Sequence, residues 1–455
     1  MKSKLRAAAM LLAVLILITA LSGCVTKSAE ELYCLPALSE EYVVLQEQLN
    51  RVLQSGAGYS APISGSNRQA VQLQDIDGDG VNEAIAFFNC LGEENPLKIY
   101  VFECQDDTYY QACVIEGTGT RFESISYTDM NGDGVSEFLV GWQISSELKM
   151  LTAYTIEDYR PTVILNTDYT DYTVSDMNAD GWMDLVVVRL SSSELSGEVE
   201  LYALRADGEL ASCVSRMSDG VEALSHARTG ALRDGTPSVC LESAIDATNI
   251  VTDIFIYRQG TLQNITLDTN AGVSAETIRS YSVYCRDMNA DGVLEVPKPV
   301  QMPSVSGADS TVWGANSSFW AIEWYDYLST GRRVRVLVTY HNNTDGWYLS
   351  MPDSWEGKVA VRREDSSTGA RMVIFSEYDS ATQQVGSDFL TIYTLTGDTA
   401  DERAESEGYF VLQTTKNTVY AAQILTDHAP VELSEAMVKE NFKIIYSEWM
   451  SGETH

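Results

Sequence analysis

The chain has 455 residues and is strongly acidic, with 65 Asp and Glu residues, 30 Lys and Arg residues and a formal net charge of −35 at pH 7. A field this negative repels nucleic acid and anionic lipid headgroups and attracts divalent cations, so nucleic-acid binding is excluded. Four histidines occur, and the sequence contains no His-Glu-x-x-His motif, no Gly-x-Ser-x-Gly motif and no phosphate-binding glycine loop.

The N-terminus has the pattern of an export signal. A basic start precedes an uncharged apolar stretch, which is short for a membrane span of ~20 residues. Leu21-Ser-Gly-Cys24 matches the bacterial lipobox, and this resemblance implies lipid transfer to Cys24 and cleavage just before it. We therefore expect a signal peptide over 1–23, a tether over 24–38 and a lipid-anchored protein on the extracytoplasmic face of a bacterial cell membrane. A single transmembrane anchor is the alternative.

Removal of the signal makes the chain more acidic and leaves an odd number of cysteines. The chain then has 65 acidic and 27 basic residues, which gives a formal net charge of −38. The seven cysteines after Cys24 have no zinc or redox spacing and cannot form a closed disulfide framework. Cys90 and Cys104 could pair, and the others are expected to be small buried hydrophobic residues.

The first predicted element of the folded part is a helix over Ser39–Gln54. Its apolar residues recur at helical spacing, Ser39 is placed to cap it and Gly56 to end it. We expect residues 39–66 to form this helix and a lead-in that packs against the domain that follows.

Four acidic loops of one pattern follow, each with oxygen side chains at positions 1, 3, 5 and 9 and glycine at position 6. Ca²⁺ takes about six to eight oxygen ligands, and a glycine allows the sharp turn between them. Position 7 would add a backbone carbonyl, so the pattern predicts four Ca²⁺ sites. The predicted ligands are Asp75, Asp77, Asp79, Val81 and Glu83 in loop 1; Asp129, Asn131, Asp133, Val135 and Glu137 in loop 2; Asp176, Asn178, Asp180, Trp182 and Asp184 in loop 3; and Asp287, Asn289, Asp291, Val293 and Glu295 in loop 4.

These loops are not EF-hands. An EF-hand needs a bidentate Glu at position 12 and helices on both sides, whereas position 12 here is Ala, Val, Val or Lys. The flanks predict strands instead, such as Ala70–Gln74 before loop 1 and Ala84–Phe88 after it. Leu185–Val188, which follows loop 3, is apolar throughout, as expected for a strand buried on both faces.

The loops recur at intervals that define a repeat. Their first residues are 54, 47 and 111 residues apart, and the last interval is two periods with one copy missing. Gly230–Cys240 lies halfway through it and retains Asp234 and Gly235 of the motif, so we expect a degenerate copy without calcium there. His341–Gly346 falls 54 residues after Asp287 and could be a sixth copy, but a plain hairpin turn is the better prediction.

A unit of roughly 50 residues holds four short strands, which is the content of a propeller blade. Calcium loops between strands resemble the FG-GAP/VCBS repeats of integrin α-chains and many bacterial surface proteins, although the Phe-Gly and Gly-Ala-Pro motifs are absent. The resemblance implies a mainly β fold: a β-propeller over 67–340, with about five to seven four-stranded blades and calcium in hairpin loops. The strands expected between loops 1 and 2 are Glu83–Phe88, Lys98–Phe102, Tyr109–Ile115 and Phe122–Tyr127.

After Gly346 the calcium loops stop, and residues 346–455 are predicted to form a smaller C-terminal domain. A meander followed by a final helix, here over Ser434–Trp449, is similar to the PsbP/Mog1 α/β/α sandwich. This resemblance implies an α/β sandwich-like domain and no particular function. Strands are expected at Lys358–Arg363, Arg371–Phe375, Phe389–Tyr393, Tyr409–Gln413 and Val419–Ile424.

No constellation of His, Ser or Cys predicts catalysis, and the regularly spaced carboxylates are already assigned as calcium ligands. The Trp182 side chain could contact a sugar or a partner surface, or pack on the neighbouring blade. We expect a non-enzymatic, calcium-stabilised binding or adhesion module for a surface protein or glycan, which meets the membrane through its N-terminal lipid only. The alternative is an extracytoplasmic hydrolase acting on polysaccharide, with its site in the propeller channel or at the domain junction.

Overall fold

The structure is a computed structural model that describes residues 40–106, 108–190, 196–280, 282–303, 319–365, 370–406, 409–425 and 433–445. The predicted signal peptide, Cys24 and the tether lie outside these residues. The chain divides into two compact units, Met1–Ile125 with Asp158–Pro161, and Ser126–Glu157 with Thr162–His455. Within the described ranges, no helix is long and apolar enough to cross a membrane.

Strands dominate the described residues, which confirms the prediction of a mainly β fold. They form six sheets of four or five strands. In the first unit, helix α1 (Glu40–Gln54) precedes the first sheet. Its strands are β1 (Gly58–Tyr59), β2 (Val71–Gln74), β3 (Glu83–Asn89), β4 (Leu97–Gln105) and β5 (Thr108–Gly117).

Helix α1 packs on the first sheet, as predicted for the lead-in. Leu45 and Leu49 are buried in one core with Phe88 of β3 and Phe102 of β4. Gly56, in the left-handed region with φ +98°, follows the helix end. No disulfide joins Cys90 to Cys104.

Three four-stranded sheets follow along the chain. The second sheet holds β6 (Arg121–Thr128), β7 (Glu137–Gln143), β8 (Lys149–Glu157) and β9 (Arg160–Asp168). The third holds β10 (Asp171–Ser175), β11 (Asp184–Arg189), β12 (Glu198–Leu204) and β13 (Leu210–Arg216). The fourth holds β14 (Ala223–Ala231), β15 (Pro237–Ala244), β16 (Ile250–Arg258) and β17 (Thr261–Asn264). The strand expected at Phe122–Tyr127 is therefore present, but it opens the second sheet and does not close the first.

Two five-stranded sheets complete the described chain. The fifth sheet holds β18 (Val296–Gln301), β19 (Trp320–Tyr327), β20 (Arg333–Asn342), β21 (Trp347–Met351) and, from the C-terminal segment, β27 (Phe442–Ile444). The sixth has the order β22 (Val359–Asp365), β23 (Ala370–Asp379), β24 (Gln384–Thr396), β26 (Thr418–Ile424) and β25 (Phe410–Thr414). Helices α2 (Ala400–Ser406) and α3 (Glu435–Asn441) and two short 3₁₀ turns lie between strands.

The strand after each of loops 1 to 3 is the most deeply buried of its sheet, whereas β18, after loop 4, is buried only at its first two residues. The run Leu185–Val188 of β11 has no exposed surface, which confirms that this strand is buried on both faces. Its alternate side chains enter two different cores: Leu185 and Val187 pack with the second sheet, and Val186 and Val188 with the fourth. Side chains from the fourth and fifth sheets share another core, and those from the fifth and sixth share the next. In the second unit, each sheet therefore packs on the one that follows it in the chain.

The C-terminal region differs from the prediction at its final helix. Ser434 caps α3, because its Oγ accepts a hydrogen bond from the Met437 N–H at 3.2 Å. The helix ends at Asn441, so the predicted helix is wrong over residues 442–445, and its remaining residues 446–449 lie outside the described part of the chain. Phe442 is buried against Trp347 and begins β27, which pairs with β21. Burial of an aromatic side chain at a sheet edge outweighs the weak helical preference of so short a segment.

All five strands predicted in the C-terminal region are present as β22 to β26. Asn342 of β20 lies opposite Trp347 of β21, so the residues between them form a plain hairpin turn, as predicted. The boundary predicted between 340 and 346 falls at this hairpin, and the fifth sheet contains strands from both sides of it.

Candidate metal centres

Loops 1 to 3 each connect the first two antiparallel strands of the ladder that runs through their sheet, and loop 4 precedes the first strand of the fifth sheet. Loops 1, 2 and 3 join β2 to β3, β6 to β7 and β10 to β11, and loop 4 leads into β18. Strand pairing fixes the loop ends: Gln74 lies opposite Glu83, and Ser175 lies opposite Asp184. At loop 4, a single bridge between Arg286 and Glu295 has the same role.

The carboxylate at position 1 holds the turn of each loop. In loop 2, Asp129 accepts hydrogen bonds from the N–H groups of Gly132 at 2.6 Å and Gly134 at 3.0 Å. Asp75 accepts from Gly78 and Gly80 in the same way, and Asp176 and Asp287 accept from positions 5 and 6 of their loops. Position 4 is left-handed in all four loops, with φ values of +74° for Gly78, +76° for Gly132, +58° for Ala179 and +62° for Ala290.

The carboxylate at position 9 is buried under each loop. Glu83, Glu137, Asp184 and Glu295 are at most 3% exposed. One oxygen of each accepts a hydrogen bond from the position 2 N–H, at distances between 2.7 and 3.0 Å. Burial raises the pKa to about 7 for the three glutamates and about 6 for Asp184, and the loop aspartates contribute to the rise. A buried acid facing other acids is an arrangement that a cation stabilises.

The loops differ in how their carboxylates are arranged. Carboxylate oxygens of Asp75, Asp77 and Glu83 lie within 4.8 Å of one another, as do those of Asp287, Asp291 and Glu295. In loops 2 to 4 the asparagine at position 3 donates its amide to the position 5 aspartate at 2.9 or 3.0 Å. That aspartate accepts from the position 7 N–H in every loop. The donor set consists of oxygen atoms, which suits a hard cation such as Ca²⁺.

The degenerate copy is built differently. It forms the hairpin between β14 and β15, where Asp234 accepts hydrogen bonds from the Ser329 N–H at 2.9 Å and Oγ–H at 2.7 Å. Its neighbour Arg233 donates to the buried carboxylate of Asp326 at 2.6 Å. An arginine therefore supplies fixed positive charge at this copy.

Loops 2 and 3 touch through Trp182. The indole lies against Gly132, where an added Cβ would be 1.9 Å from its Nε1 atom, and the side chain is still 40% exposed. Packing on the neighbouring loop is thus one of the two arrangements expected for this residue. Tyr159, which the sequence did not single out, donates its hydroxyl to Asp77 of loop 1 at 3.1 Å.

The contact with Trp182 can be tested with two glycines of one loop. Gly132 and Gly134 both have positive φ, but a Cβ on Gly134 would meet no atom within 4 Å. Because backbone strain is similar at both, we expect Gly132→Ala to lower the free energy of unfolding by about 1–3 kcal/mol more than Gly134→Ala, through overpacking alone. Urea unfolding in chelator measures the difference, and Trp182→Ala should remove it. Equal losses in the two glycine variants would contradict the contact.

Two cavities in the second unit bear on the enzyme alternative. One, of about 350 Å³, is mostly apolar. Its carboxylates are Asp353, Glu323 and Glu356, and the two glutamates are paired with Arg335, which lowers the pKa of Glu356. The other, of about 280 Å³, is lined by Arg228 and Arg286 and by no carboxylate among the described residues. A glycosidase needs a protonated acid opposite a second carboxylate. In the larger cavity Arg335 pairs with two of the three carboxylates, and the smaller cavity has none among the described residues.

Comparisons with known proteins assign no family. No family model matches the chain, and no curated protein matches it in sequence. Among solved structures, it has partial similarity to a proposed 6-phosphogluconolactonase from Bacteroides fragilis NCTC 9343, with 11% identity and a TM-score of 0.27 over 73% of this chain and 92% of that chain. A TM-score this low supports no statement about fold or function.

Proposed function

We propose that this chain is a calcium-binding, lipid-anchored protein of the bacterial cell surface that acts as a binding or adhesion module for a protein or glycan. The observation that carries the proposal is the recurrence of one loop geometry four times. Each loop directs its position 1 carboxylate onto its own backbone and buries its position 9 carboxylate beneath the others. Together the loops carry thirteen carboxylates. In loops 1 and 4 the oxygens of three of them lie within 4.8 Å of one another, and Ca²⁺ would relieve their repulsion.

The finer architecture in this proposal is a β-propeller with five to seven blades. Its support is the succession of four- and five-stranded sheets, each packed on the next through a shared core in the second unit. The equivalent position of the acidic loops and of the degenerate hairpin, between adjacent strands of successive sheets, also supports it.

A binding role is favoured over hydrolysis by the described carboxylates. The loop carboxylates accept hydrogen bonds from their own turns, and two of the three carboxylates at the larger cavity, Glu323 and Glu356, are paired with Arg335. Trp182 lies where loop 3 touches loop 2, and 40% of its surface is exposed. We propose that it contacts the partner. Aromatic side chains at such rims contribute stacking area to both glycans and proteins.

Titration calorimetry of the mature chain tests the calcium function. We expect about four Ca²⁺ per chain and weaker binding of Mg²⁺, because Mg²⁺ demands a smaller octahedral shell and dehydrates reluctantly. Uptake of no Ca²⁺ would overturn the proposal. Screening of glycans and surface proteins, with calcium and with chelator, tests the binding role. Turnover of a polysaccharide that stops on changing one carboxylate outside the loops would favour the hydrolase instead.

A further inference from the structure

Asp326 is a carboxylate beside loop 4 that the loop motif does not contain. It lies on β19, whose pairing with β18 sets Val296 opposite Tyr325 and Pro297 opposite Trp324. The same register places Glu295, the position 9 residue of loop 4, opposite Asp326. Directly opposed residues in an antiparallel pair have Cβ atoms about 4.5–5.5 Å apart, so the two acids are cross-strand neighbours.

Both acids are buried, and each has one oxygen without a hydrogen-bond partner among the described residues. Glu295 uses Oε2 to accept from the Met288 N–H at 2.7 Å, while Oε1 has no partner. Asp326 uses Oδ2 to accept from Arg233 at 2.6 Å, while Oδ1 has no partner. Like charges directly opposed in a sheet are destabilising, and a buried carboxylate oxygen without a partner carries a desolvation penalty. Arg233 compensates one oxygen of Asp326, and a cation between the two unpartnered oxygens would compensate the remaining charge.

The residue opposite position 9 on the neighbouring strand differs between loop 4 and the other loops. The residue opposite position 9 is Thr155 at loop 2 and Ala203 at loop 3, since Phe138 pairs with Tyr154 and Leu185 with Tyr202. At loop 1 it is Glu103, which is half-buried and accepts from Gln105 at 2.6 Å. Within the described chain, loop 4 is thus the loop at which the residue opposite position 9 is a buried acid with an unpartnered oxygen.

We propose that Asp326 turns Oδ1 toward the loop 4 centre and completes it as a fourth carboxylate for a divalent cation. The three carboxylates whose oxygens already lie within 4.8 Å of one another are those of Asp287, Asp291 and Glu295. This inference rests on the proposed calcium function and adds a ligand from a neighbouring strand to it. Arg233 occupies Oδ2 and leaves Oδ1 available to the cation. With its extra carboxylate, loop 4 binds Ca²⁺ more tightly than loops 2 and 3, because affinity rises with ligand charge.

Arg233 makes the degenerate copy part of this centre. Its hairpin contacts loop 4 directly, since Ala231 forms a β-bridge with Val293 and Gly230 lies against Leu294. The guanidinium orients Asp326, but its positive charge also repels a metal ion at loop 4. Removing that charge while keeping Asp326 therefore strengthens cation binding, whereas removing the carboxylate weakens it.

Calcium calorimetry on the full mature chain separates these roles. Asp326→Asn is expected to weaken one of four sites about tenfold, which corresponds to 1.4 kcal/mol, and to leave the other three unchanged. Arg233→Gln, which breaks the same ion pair but keeps the carboxylate, is expected to leave that site as tight or tighter. Asp291→Asn should abolish the same site, so the double variant with Asp326→Asn should match Asp291→Asn alone.

A matched control is Thr155→Ala, at the equivalent position beside loop 2, which should leave all four affinities unchanged. Equal weakening by Asp326→Asn and Arg233→Gln would show that the ion pair is merely structural and would overturn the inference. Four unaltered sites in Asp326→Asn would do the same while leaving the calcium function standing. A wild-type chain that takes up no Ca²⁺ would instead remove the proposed function itself.

Discussion

Asp133→Ala is expected to lose calcium-dependent stability. When free Ca²⁺ is 100 times the dissociation constant of loop 2, losing that site lowers the free energy of unfolding by about 2.7 kcal/mol. In chelator the loss should be small, because the variant gives up hydrogen bonds from Val135 and Asn131 but relieves repulsion with Asp129 and Glu137. Denaturant unfolding at fixed calcium and in chelator measures both values.

Asp234→Ala is the matched control, since Asp234 holds position 5 of the degenerate copy. Its carboxylate accepts two hydrogen bonds from Ser329, so its removal should cost about the same with and without calcium. If Asp133→Ala also showed equal losses in both conditions, loop 2 would be a structural turn rather than a metal centre.

Glu242→Gln is expected to lower the free energy of unfolding by about 3–5 kcal/mol, with or without calcium. Glu242 of β15 is fully buried and accepts from the buried guanidinium of Arg279 at 2.5 Å and from the Cys285 N–H at 2.7 Å. Neutralising the carboxylate leaves the positive charge of Arg279 buried without compensation. Arg279 is fixed in place by a further hydrogen bond to the Val283 carbonyl at 2.6 Å, so it cannot easily turn to solvent.

The pair of Glu198 with Arg189, 3.2 Å apart, provides the comparison, because Glu198 is 44% exposed and Arg189 keeps a second partner, Glu200, at 3.0 Å. Glu198→Gln should therefore change stability by less than about 1 kcal/mol. A loss below 1 kcal/mol in Glu242→Gln would mean that water or another residue compensates Arg279.

Individual strands and loops of this fold could be predicted because the residue patterns that specify them lie within a few consecutive residues. An apolar run after an acidic loop, as at Leu185–Val188, predicts a buried strand whatever lies around it, and the loop spacing located the degenerate hairpin at Asp234. The end of α3 was missed because it depends on Phe442 burying itself against Trp347, a contact between residues far apart in the chain.

The same limit applies to the candidate sites. The loop ligands follow from spacing within nine residues, so they could be named from the sequence. Asp326 belongs to loop 4 only through the register of β18 with β19, and Tyr159 reaches Asp77 only because a hairpin tip folds over it. Alternation of apolar residues does not specify which strand is the neighbour or in what register it pairs.

The position of the acidic loops directly before buried strands has a consequence for the unfolded chain. Segments such as Ala84–Phe88 and Leu185–Val188 are short, apolar and rich in residues that form strands, and such segments stack between molecules when exposed. A block of like charge next to each segment acts as a gatekeeper, because it holds neighbouring chains apart. The acids that crowd together in the native loops therefore guard the nascent protein against aggregation, and changing them to asparagine should lower refolding yield even where calcium is absent.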